Sequence, residues 1–276
     1  MLLEFTKMNG AGNDFVLVDN RERKIQLTRA QVAQLCHRQR GAGADGLILL
    51  VPCTSGRADW AWDFYNSDGS SAEMCGNGAR CFARFVQKLT GSANTLSFET
   101  AAGVISARIL GDRVAVNLTA PTHLQLNLKV PMASVTNGVQ TVHSINTGVP
   151  HAVLMVEDAD KAMVQSWGSE LRFHAQFQPR GTNVNFVQVT GPGAVRVRTY
   201  ERGVEGETLA CGTGVTASAL IAAKVHGFTS PVQVRVQGGD TLEVSFKEHN
   251  GAFEDVCLTG PADFVFKGQI EIGLAK

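Results

Sequence analysis

Two cysteines in this sequence stand at the start of matching glycine-rich motifs. Cys75 lies in MCGNGARCFARFV and Cys211 in ACGTGVTASALIA, and the two Cys-Gly pairs are 136 residues apart. In both motifs the glycines lead into a stretch with near-helical apolar spacing, which predicts a thiol at or just before a helix N-terminus. The exposed N–H groups of a helix start favour negative charge, so we expect both thiols to ionise more readily than an ordinary cysteine.

The same motifs could also hold an anionic substrate. Backbone N–H groups at a helix start bind carboxylates, and glycines allow the backbone to approach the ligand closely. Two such motifs related by a pseudo-twofold axis would place Cys75 and Cys211 on opposite sides of one bound anion. Inverting a stereocentre needs a proton to leave one face and another to arrive on the opposite face, which a thiol and thiolate pair provides. The competing interpretation is that both cysteines are small core residues that cap buried helices.

An internal repeat extends beyond these motifs and favours the functional interpretation. Landmark pairs that share the 136-residue spacing are Gly12 with Gly148, Phe64 with Tyr200 and Gly91 with Gly227. The segments NLTAP, starting at Asn117, and CLTGP, starting at Cys257, lie 140 residues apart. We therefore interpret the chain as two diverged copies of one unit.

Each copy has the pattern of short strands around one helix. Runs of β-branched and aromatic residues predict strands, and in the first copy these are DFVLVD, LILLV, WAWDFYN, TLSFET and RVAVNL. Ala79 to Lys88 and Val215 to Val225 are predicted helices, apolar nearly all round and therefore buried. The predicted fold class is α+β, with two pseudo-symmetric domains, each a strand-rich barrel-like unit around a central helix. We expect domains at 1–120 and 121–261, with the tail 262–276 returning to the first.

The composition argues against several kinds of function. The 25 basic and 25 acidic side chains give a formal charge of zero without a polybasic run, so no nucleic-acid partner is expected. The first residues lack the pattern of a signal peptide, and no window has the apolar length of a membrane span, so we expect a cytoplasmic protein without a membrane partner. The six cysteines form no CxxC pair, and no metal site is expected. A small molecule is the expected partner.

Five segments together resemble one protein family over essentially the full chain. They are KMNGAGNDFVLVD, RGAGADGLIL, FYNSDGSSAEMCGNGARC, PRGTNVNF and RTYERGVEGETLACGTG. On these motifs the sequence resembles diaminopimelate epimerase. The resemblance implies an isomerase that interconverts LL- and meso-diaminopimelate for lysine and peptidoglycan precursor synthesis, without pyridoxal phosphate, another cofactor or a metal. It also implies a homodimer, and Phe266 in the tail is a candidate for the interface.

The resemblance further implies roles for individual residues. Cys75 and Cys211 would be the proton donor and acceptor. The carboxylate at the reacting centre would be bound by Gly76, Asn77, Gly212 and Thr213. The other polar groups of the substrate would be bound by Asn13, Asn66, Asn183, Glu201 and Arg202, of which Arg202 suits a distal carboxylate. His151 and Glu201 match family residues thought to tune the acidity of the thiols.

Simpler interpretations apply to some of these residues one at a time. Asn13 and Asn66 stand in contexts typical of turns. Glu201 with Arg202 could be an ordinary surface ion pair. A lone histidine such as His151 is commonly a satisfied core or surface residue. Their arrangement in one set of family motifs is what favours the functional interpretation.

The sequence departs from the family pattern at two positions. Val149 stands where the family often has Asn, and Gly46 stands where it sometimes has Gln. Both positions contact substrate in the family. Recognition of the far end of the substrate is therefore where we expect this chain to differ.

Three alternative functions remain open on the sequence alone. The first is a proline or hydroxyproline racemase, an enzyme type that resembles the same two-thiol arrangement. Its pocket would be mostly apolar at the positions where this chain has Arg202, Asn66 and Asn183. An isomerase of the phenazine-biosynthesis type uses a carboxylate in place of paired thiols. A non-catalytic module would use the paired helix starts only to hold an anion.

Overall fold

The computed structural model describes residues 1–136 and 138–273. The strands of the first part of the chain are β1 Leu2–Gly10, β2 Asn13–Asp19, β3 Gly46–Val51, β4 Trp60–Asn66, β5 Thr95–Thr100, β6 Gly103–Leu110 and β7 Arg113–Asn117. They are followed by β8 Thr122–Pro131, β9 Val139–Asn146, β10 Pro150–Met155, β11 Asn183–Gly191, β12 Ala194–Glu201, β13 Gly206–Thr208, β14 Val232–Arg235, β15 Thr241–His249, β16 Ala252–Pro261 and β17 Asp263–Glu271. The helices are α1 Arg29–Cys36, α2 Gly76–Thr90, α3 Val164–Phe173 and α4 Gly212–His226, with 3-10 turns at Ala159–Lys161 and Ala175–Phe177.

The chain divides into two compact units. The first comprises Met1–Val116 with Gly260–Lys276, and the second comprises Asn117–Thr259. Strand β17 lies antiparallel to β1 in the first unit, from Leu2 opposite Glu271 to Asn9 opposite Asp263. The last three residues of the predicted returning tail, 274–276, lie outside the described residues.

Strand pairing in the first unit alternates between hairpins and helical crossovers. Antiparallel pairs join β1 to β2, β3 to β4, β5 to β6 and β6 to β7. The parallel pairs are β2 with β3, connected by α1, and β4 with β5, connected by α2. Parallel neighbours need a crossover that returns the chain to the same end of the sheet, and a helix supplies it.

The second unit repeats this order of strand pairings, with the short strand β13 added between β12 and α4. Antiparallel pairs join β8 to β9, β9 to β10, β11 to β12, β14 to β15 and β15 to β16. The parallel pairs are β10 with β11, connected by α3, and β12 with β14, connected by α4. The predicted internal duplication is therefore visible in the topology, and the predicted α+β class is confirmed.

The predicted central helices form, but only one is apolar all round. Nearly all of α4 from Gly214 to Ala223 is buried against strands of its unit. The prediction was wrong for α2, where Arg80, Arg84 and Lys88 recur every four residues and form a polar stripe. This stripe faces the segment before β17, because Arg84 Nη1 donates to the carbonyl of Ala262 at 2.6 Å.

Aromatic side chains fill the space between α2 and its sheet. Phe82 from the helix packs against Phe98 of β5 with ring centroids 4.7 Å apart, and against Trp62 of β4 at 5.6 Å. Strand β3 is buried along its whole length, as its continuous apolar run predicts. No helix within residues 1–136 and 138–273 has both the length and the apolar character needed to cross a membrane.

Leu220→Ala should test how far the second unit depends on its central helix. Leu220 is fully buried in α4, so the substitution should lower the free energy of unfolding by about 2–5 kcal/mol. The same change at Leu89 of α2, which is 40% exposed, should have an effect within about 0.5 kcal/mol. Urea denaturation of both variants measures the difference. Equal effects would contradict the burial argument.

Candidate active site

Cys75 stands at the N-cap of α2 in the first unit. Its backbone is extended, with φ −145° and ψ 119°, and its Sγ accepts a hydrogen bond from the backbone N–H of Gly78 at 3.5 Å. Gly76 and Asn77 form the first turn that follows. The thiol is half-buried, so it lies beside helix N–H groups and still reaches the surface of its unit.

A relay of side-chain hydrogen bonds orients the amides of Asn13 and Asn77. Asn13 Nδ2 donates to Asp45 Oδ2 at 2.9 Å, and Asn77 Nδ2 donates to Asn13 Oδ1 at 2.6 Å. Arg80 Nη2 donates to Asn77 Oδ1 at 2.8 Å. A carboxylate can only accept and a guanidinium can only donate, so the two charged ends dictate which way both amides point. Asn77 and Arg80 are almost completely buried.

A charge cluster supports the acceptor end of this relay. Lys7 and Arg38 form salt bridges with Asp14 at 2.8 and 3.0 Å, and Arg38 also bonds Asp45 at 2.7 Å. Although burial acts to raise it, hydrogen bonds and charges from Arg38 and Lys7 hold the pKa of Asp14 below its ordinary value. Lys7 Nζ also donates to the carbonyl of Gly43. The cluster fixes the loop that carries Asp45.

Asn66 ends β4 in a turn, as the simpler interpretation of its sequence context predicts. The carbonyl of Asn66 accepts from Gly69 N at 2.9 Å, and Asn66 Nδ2 donates to Ser70 Oγ at 3.0 Å. Its side chain is exposed, opposite Gly46 of β3. A Cβ atom at Gly46 would lie 2.6 Å from the backbone oxygen of Tyr65, so the structure gives a steric reason for the glycine at this departure from the family pattern.

Cys211 occupies the same position at the start of α4 in the second unit. Its backbone is extended, with φ −121° and ψ 108°, and Sγ lies 3.5 Å from Thr213 Oγ1. Thr147, in the turn before β10, donates to the carbonyl of Thr213 at 2.9 Å and ties this turn to the helix start. Val149 is half-buried in the same turn. Cys211 is buried, with 8% of the residue exposed.

His151 is a buried, neutral imidazole near this helix start. It is 1% exposed, and its Nδ1 lies 3.1 Å from Asn185 Nδ2. Burial, and to a lesser extent the positive charge of Arg202, lowers the pKa of His151 to about 3. The ring is therefore uncharged at neutral pH. Within the part of the chain that the structure describes, His151 Nε2 is buried and has no hydrogen-bond partner.

Asn183 and Arg202 are joined at the end of the sheet. Asn183 Oδ1 accepts from the backbone N–H of Arg202 at 2.9 Å, and its Nδ2 donates to the carbonyl of Pro150 at 3.0 Å. Arg202 Nη1 donates to the carbonyl of Arg180 at 3.1 Å. The Asn183 side chain thus holds the backbone of Arg202, and the Arg180 carbonyl holds its guanidinium.

The Glu201 carboxylate is held by a residue of the next strand. Its Oε2 accepts a hydrogen bond from Thr208 Oγ1 at 2.8 Å. Glu201 pairs with Gly206 across the β12–β13 hairpin. The half-buried carboxylate is therefore held on the hairpin that leads directly into the Cys211 loop.

Each unit gathers its candidate residues at one end of its sheet. In the first unit β2 starts at Asn13 and pairs with the start of β3, which pairs in turn with Asn66 at the end of β4. In the second unit His151 pairs directly with Asn183, and Glu201 and Arg202 follow one strand further on. The same topology therefore gives both units the same arrangement of helix start and strand ends.

Several residues of these clusters are absent from the sequence-based set. They are Asp45, Arg80, Thr147, Asn185 and Thr199. One signal was available for Asn185, because it lies in the PRGTNVNF motif, two residues after Asn183 and directly before the apolar pair Phe186-Val187. The others contact the site only through partners distant in sequence, which no local pattern reveals.

Three of the remaining cysteines, Cys36, Cys53 and Cys81, differ from the two at the helix starts. Burial raises the pKa of Cys81 to about 12 and that of Cys36 to about 11. Both lie in the core. Cys53 is half-buried and its sulfur lies 3.3 Å from both Ser55 Oγ and Glu99 Oε2. None of these three stands at the start of a central helix.

The two helix starts have the chemical parts that proton transfer beside a carboxylate requires. Each combines a thiol, backbone N–H donors and neighbouring side-chain amides. Such donors stabilise an anion, and a thiol beside them can exchange a proton with a bound carbon acid.

Comparison with known proteins identifies the family. The family model described as diaminopimelate epimerase matches residues 5–124 and 143–265. The curated protein named diaminopimelate epimerase from Aquifex aeolicus is 43% identical, over 97% of this chain and 98% of its own length.

Solved structures with low sequence identity share the fold. A phenazine biosynthesis protein of the PhzF family from Bacillus anthracis superimposes with a TM-score of 0.74 at 13% identity, covering 99% of this chain and all of that one. A hydroxyproline epimerase from Agrobacterium vitis, with bound trans-4-OH-L-proline, gives 0.71 at 16% identity, covering 98% of this chain and 92% of that one. At these identities the likeness concerns the fold alone. Because both the family model and the close relative match nearly the whole chain, the chain belongs to the diaminopimelate epimerase family.

Proposed function

We propose that this protein interconverts LL- and meso-diaminopimelate with two thiol bases, Cys75 and Cys211. The observation that carries the proposal is the repeated N-cap cysteine, which starts the central helix of both units in a chain of this family. A relative with 43% identity bears the name diaminopimelate epimerase, which supports the choice of substrate.

The chemistry assigns one base to each face of the reacting carbon. A thiolate removes the α-proton from one face, and the other thiol delivers its proton to the opposite face, so the configuration inverts and the two thiols exchange protonation states. Reaction in the other direction uses the same groups in reversed roles. The proposal requires both sulfurs to reach opposite faces of one α-carbon.

Backbone donors would stabilise the carbanion formed between the two proton transfers. The N–H groups at Gly76 and Asn77, and at Gly212 and Thr213, would bind the carboxylate on the reacting carbon. Charge that moves from the α-carbon onto this carboxylate would meet dipoles already oriented towards it, which lowers the barrier.

Polar side chains at the sheet ends would bind the rest of the substrate. Arg202, whose guanidinium is held by a backbone carbonyl, would pair with the distal carboxylate. Asn13, Asn66, Asn183 and Glu201 would bind the remaining amino and carboxylate groups. This set of amides and charges favours a long substrate with two amino-acid ends over proline, whose ring needs an apolar surface.

His151 and Glu201 would tune the two thiols. Because His151 is neutral, it would act on a nearby anion by hydrogen bonding and would contribute no positive charge. Glu201 would contribute a carboxylate at the entry to the Cys211 loop. The reaction would need no pyridoxal phosphate, other cofactor or metal, because the thiols supply both bases. We also propose a cytoplasmic homodimer that serves lysine and peptidoglycan precursor synthesis.

Isotope exchange tests the function directly. In deuterium oxide under reducing conditions, LL-diaminopimelate should gain deuterium at an α-carbon as it converts to the meso form, because the incoming proton comes from a solvent-exchanged thiol. Mass spectrometry with chiral separation measures both events. Exchange with proline in place of diaminopimelate would instead indicate a racemase, and binding without exchange would indicate an anion-binding module.

Substitution of either proposed base should stop inversion. Cys75→Ala and Cys211→Ala should each lower the rate of inversion by about 10²–10⁴-fold or more, because each removes the base of one face. Thermal unfolding should show that both variants stay folded. Cys53→Ala, which alters a half-buried thiol outside the helix starts, is the matched control and should retain the full rate. Substantial inversion by Cys75→Ala or Cys211→Ala would refute the two-base assignment.

Oxidation should inactivate the enzyme reversibly. Two sulfurs that flank one carbon can meet when no substrate separates them, so a Cys75–Cys211 disulfide should form and dithiothreitol should reverse it. Peptide mapping under non-reducing conditions identifies the linked pair. Full activity after complete thiol oxidation would contradict the required proximity.

A further inference from the structure

The two units differ directly beneath the start of their central helices. A Cβ atom on Gly78 of α2 would lie 3.2 Å from Ile48 Cδ1 and 3.5 Å from the ring of Phe15. A Cβ atom on Gly214 of α4 would lie 2.4 Å from Asn185 Oδ1. The same close helix contact is therefore made to apolar side chains in the first unit and to a polar one in the second.

The polar residues of the second unit occupy the positions of the apolar ones in the first. His151 lies 136 residues after Phe15, at the start of the equivalent strand. In the parallel ladder of the second unit, Asn185 lies opposite the residue two positions after His151. In the equivalent ladder of the first unit, Ile48 lies opposite the residue two positions after Phe15. The first unit thus folds with two apolar side chains here. Burying a histidine and an asparagine instead costs solvation energy without any need from the fold, which points to a function for the pair.

Hydrogen bonds determine the orientation of the Asn185 amide. Its Nδ2 lies 3.0 Å from the carbonyl oxygen of Ala152, which can only accept, so this side of the amide must be the NH₂ group. Its Oδ1 accepts from Thr199 Oγ1 at 3.0 Å. The second Nδ2 hydrogen is left to face His151 Nδ1 at 3.1 Å.

This geometry permits only one tautomer of His151. A donor that faces Nδ1 requires this nitrogen to be unprotonated, so the proton of the neutral ring must be on Nε2. If both ring nitrogens of His151 were protonated, its Nδ1–H group and the Nδ2–H group of Asn185 would be two donors facing each other. The Nε2–H group that results is buried, with no acceptor in the part of the chain that the structure describes.

We infer that Asn185 is a positioning residue, which holds His151 as its Nε2–H tautomer so that the ring donates a hydrogen bond to a carboxylate oxygen of the bound substrate. A buried donor without a partner is costly unless a ligand satisfies it. The neighbouring start of α4 favours the same kind of ligand, an anion. The role in catalysis rests on the proposed function, whereas the tautomer does not.

Nitrogen NMR of the ligand-free protein tests the tautomer. In the full chain labelled with ¹⁵N-histidine, the His151 signals are those that disappear in His151→Gln. At neutral pH the Nδ1 shift should be that of an unprotonated nitrogen and the Nε2 shift that of a protonated one. A protonated Nδ1 in the wild-type protein would overturn the inference, whatever the activity.

Asn185→Asp tests whether the tautomer matters for turnover. A carboxylate facing Nδ1 can only accept, so the proton should move to Nδ1 and the isotope-exchange rate should fall by about tenfold or more, as for other groups that orient a functional histidine. Asn20→Asp is the matched control. Asn20 is also buried, and it bonds the backbone N–H and carbonyl of Ile25 at 2.9 Å each. The Asn20→Asp variant should leave the His151 signals and the exchange rate unchanged, even if its free energy of unfolding falls.

Asn185→Leu provides a second variant if the aspartate variant does not fold. It places an apolar side chain where the first unit has Ile48, so we expect a folded protein in which His151 samples both tautomers and exchange is slower. A full exchange rate in either Asn185 variant, with the tautomer altered, would overturn the positioning role.

Addition of substrate tests the donor role. The His151 Nε2 proton signal should shift when meso-diaminopimelate binds, and an unmoved signal in a protein that exchanges label would refute that assignment. If the wild-type protein shows the expected tautomer but no exchange, the proposed function fails and the structural effect of Asn185 stands.

Discussion

Both units depend on a central helix that begins at the end of its own sheet. The first turn of any helix leaves backbone N–H groups without partners, and packing α2 and α4 against strands keeps those groups in one place. A cysteine at each N-cap, followed by glycines, puts a sulfur beside these donors and lets the helix start approach the strands closely. The same arrangement that completes the core therefore leaves helix N–H donors, which favour an anion, beside a thiol.

Duplication preserved this arrangement and changed the side chains around it. The first unit holds a relay from Asp45 to Arg80, and the second holds His151 with Asn185 in positions that are apolar in the first. The strand connectivity of the two units matches, so backbone topology does not require these polar groups. The two helix starts are consequently equivalent in backbone and different in the side chains around them.

Groups with only one hydrogen-bonding role determine the orientation of the amides near both helix starts. Asp45 can only accept and Arg80 can only donate, so Asn13 and Asn77 between them have one arrangement. In the second unit a backbone carbonyl does the same for Asn185 and, through it, for His151. Fixed dipoles of this kind need no reorganisation when charge develops on a substrate.

The sequence by itself determined the α+β class, the duplication, the helices after each Cys-Gly pair and the family, because these depend on local periodicity and on motifs that are contiguous in the chain. It did not reveal what the polar stripe of α2 contacts, or the partners of Glu201 and His151. Tertiary structure decided these, since they depend on which distant groups meet: Ala262 reaches Arg84, and Ala152 orients Asn185. The direction of a hydrogen bond depends on which donor and which acceptor the fold brings together, and residue identity alone cannot specify it.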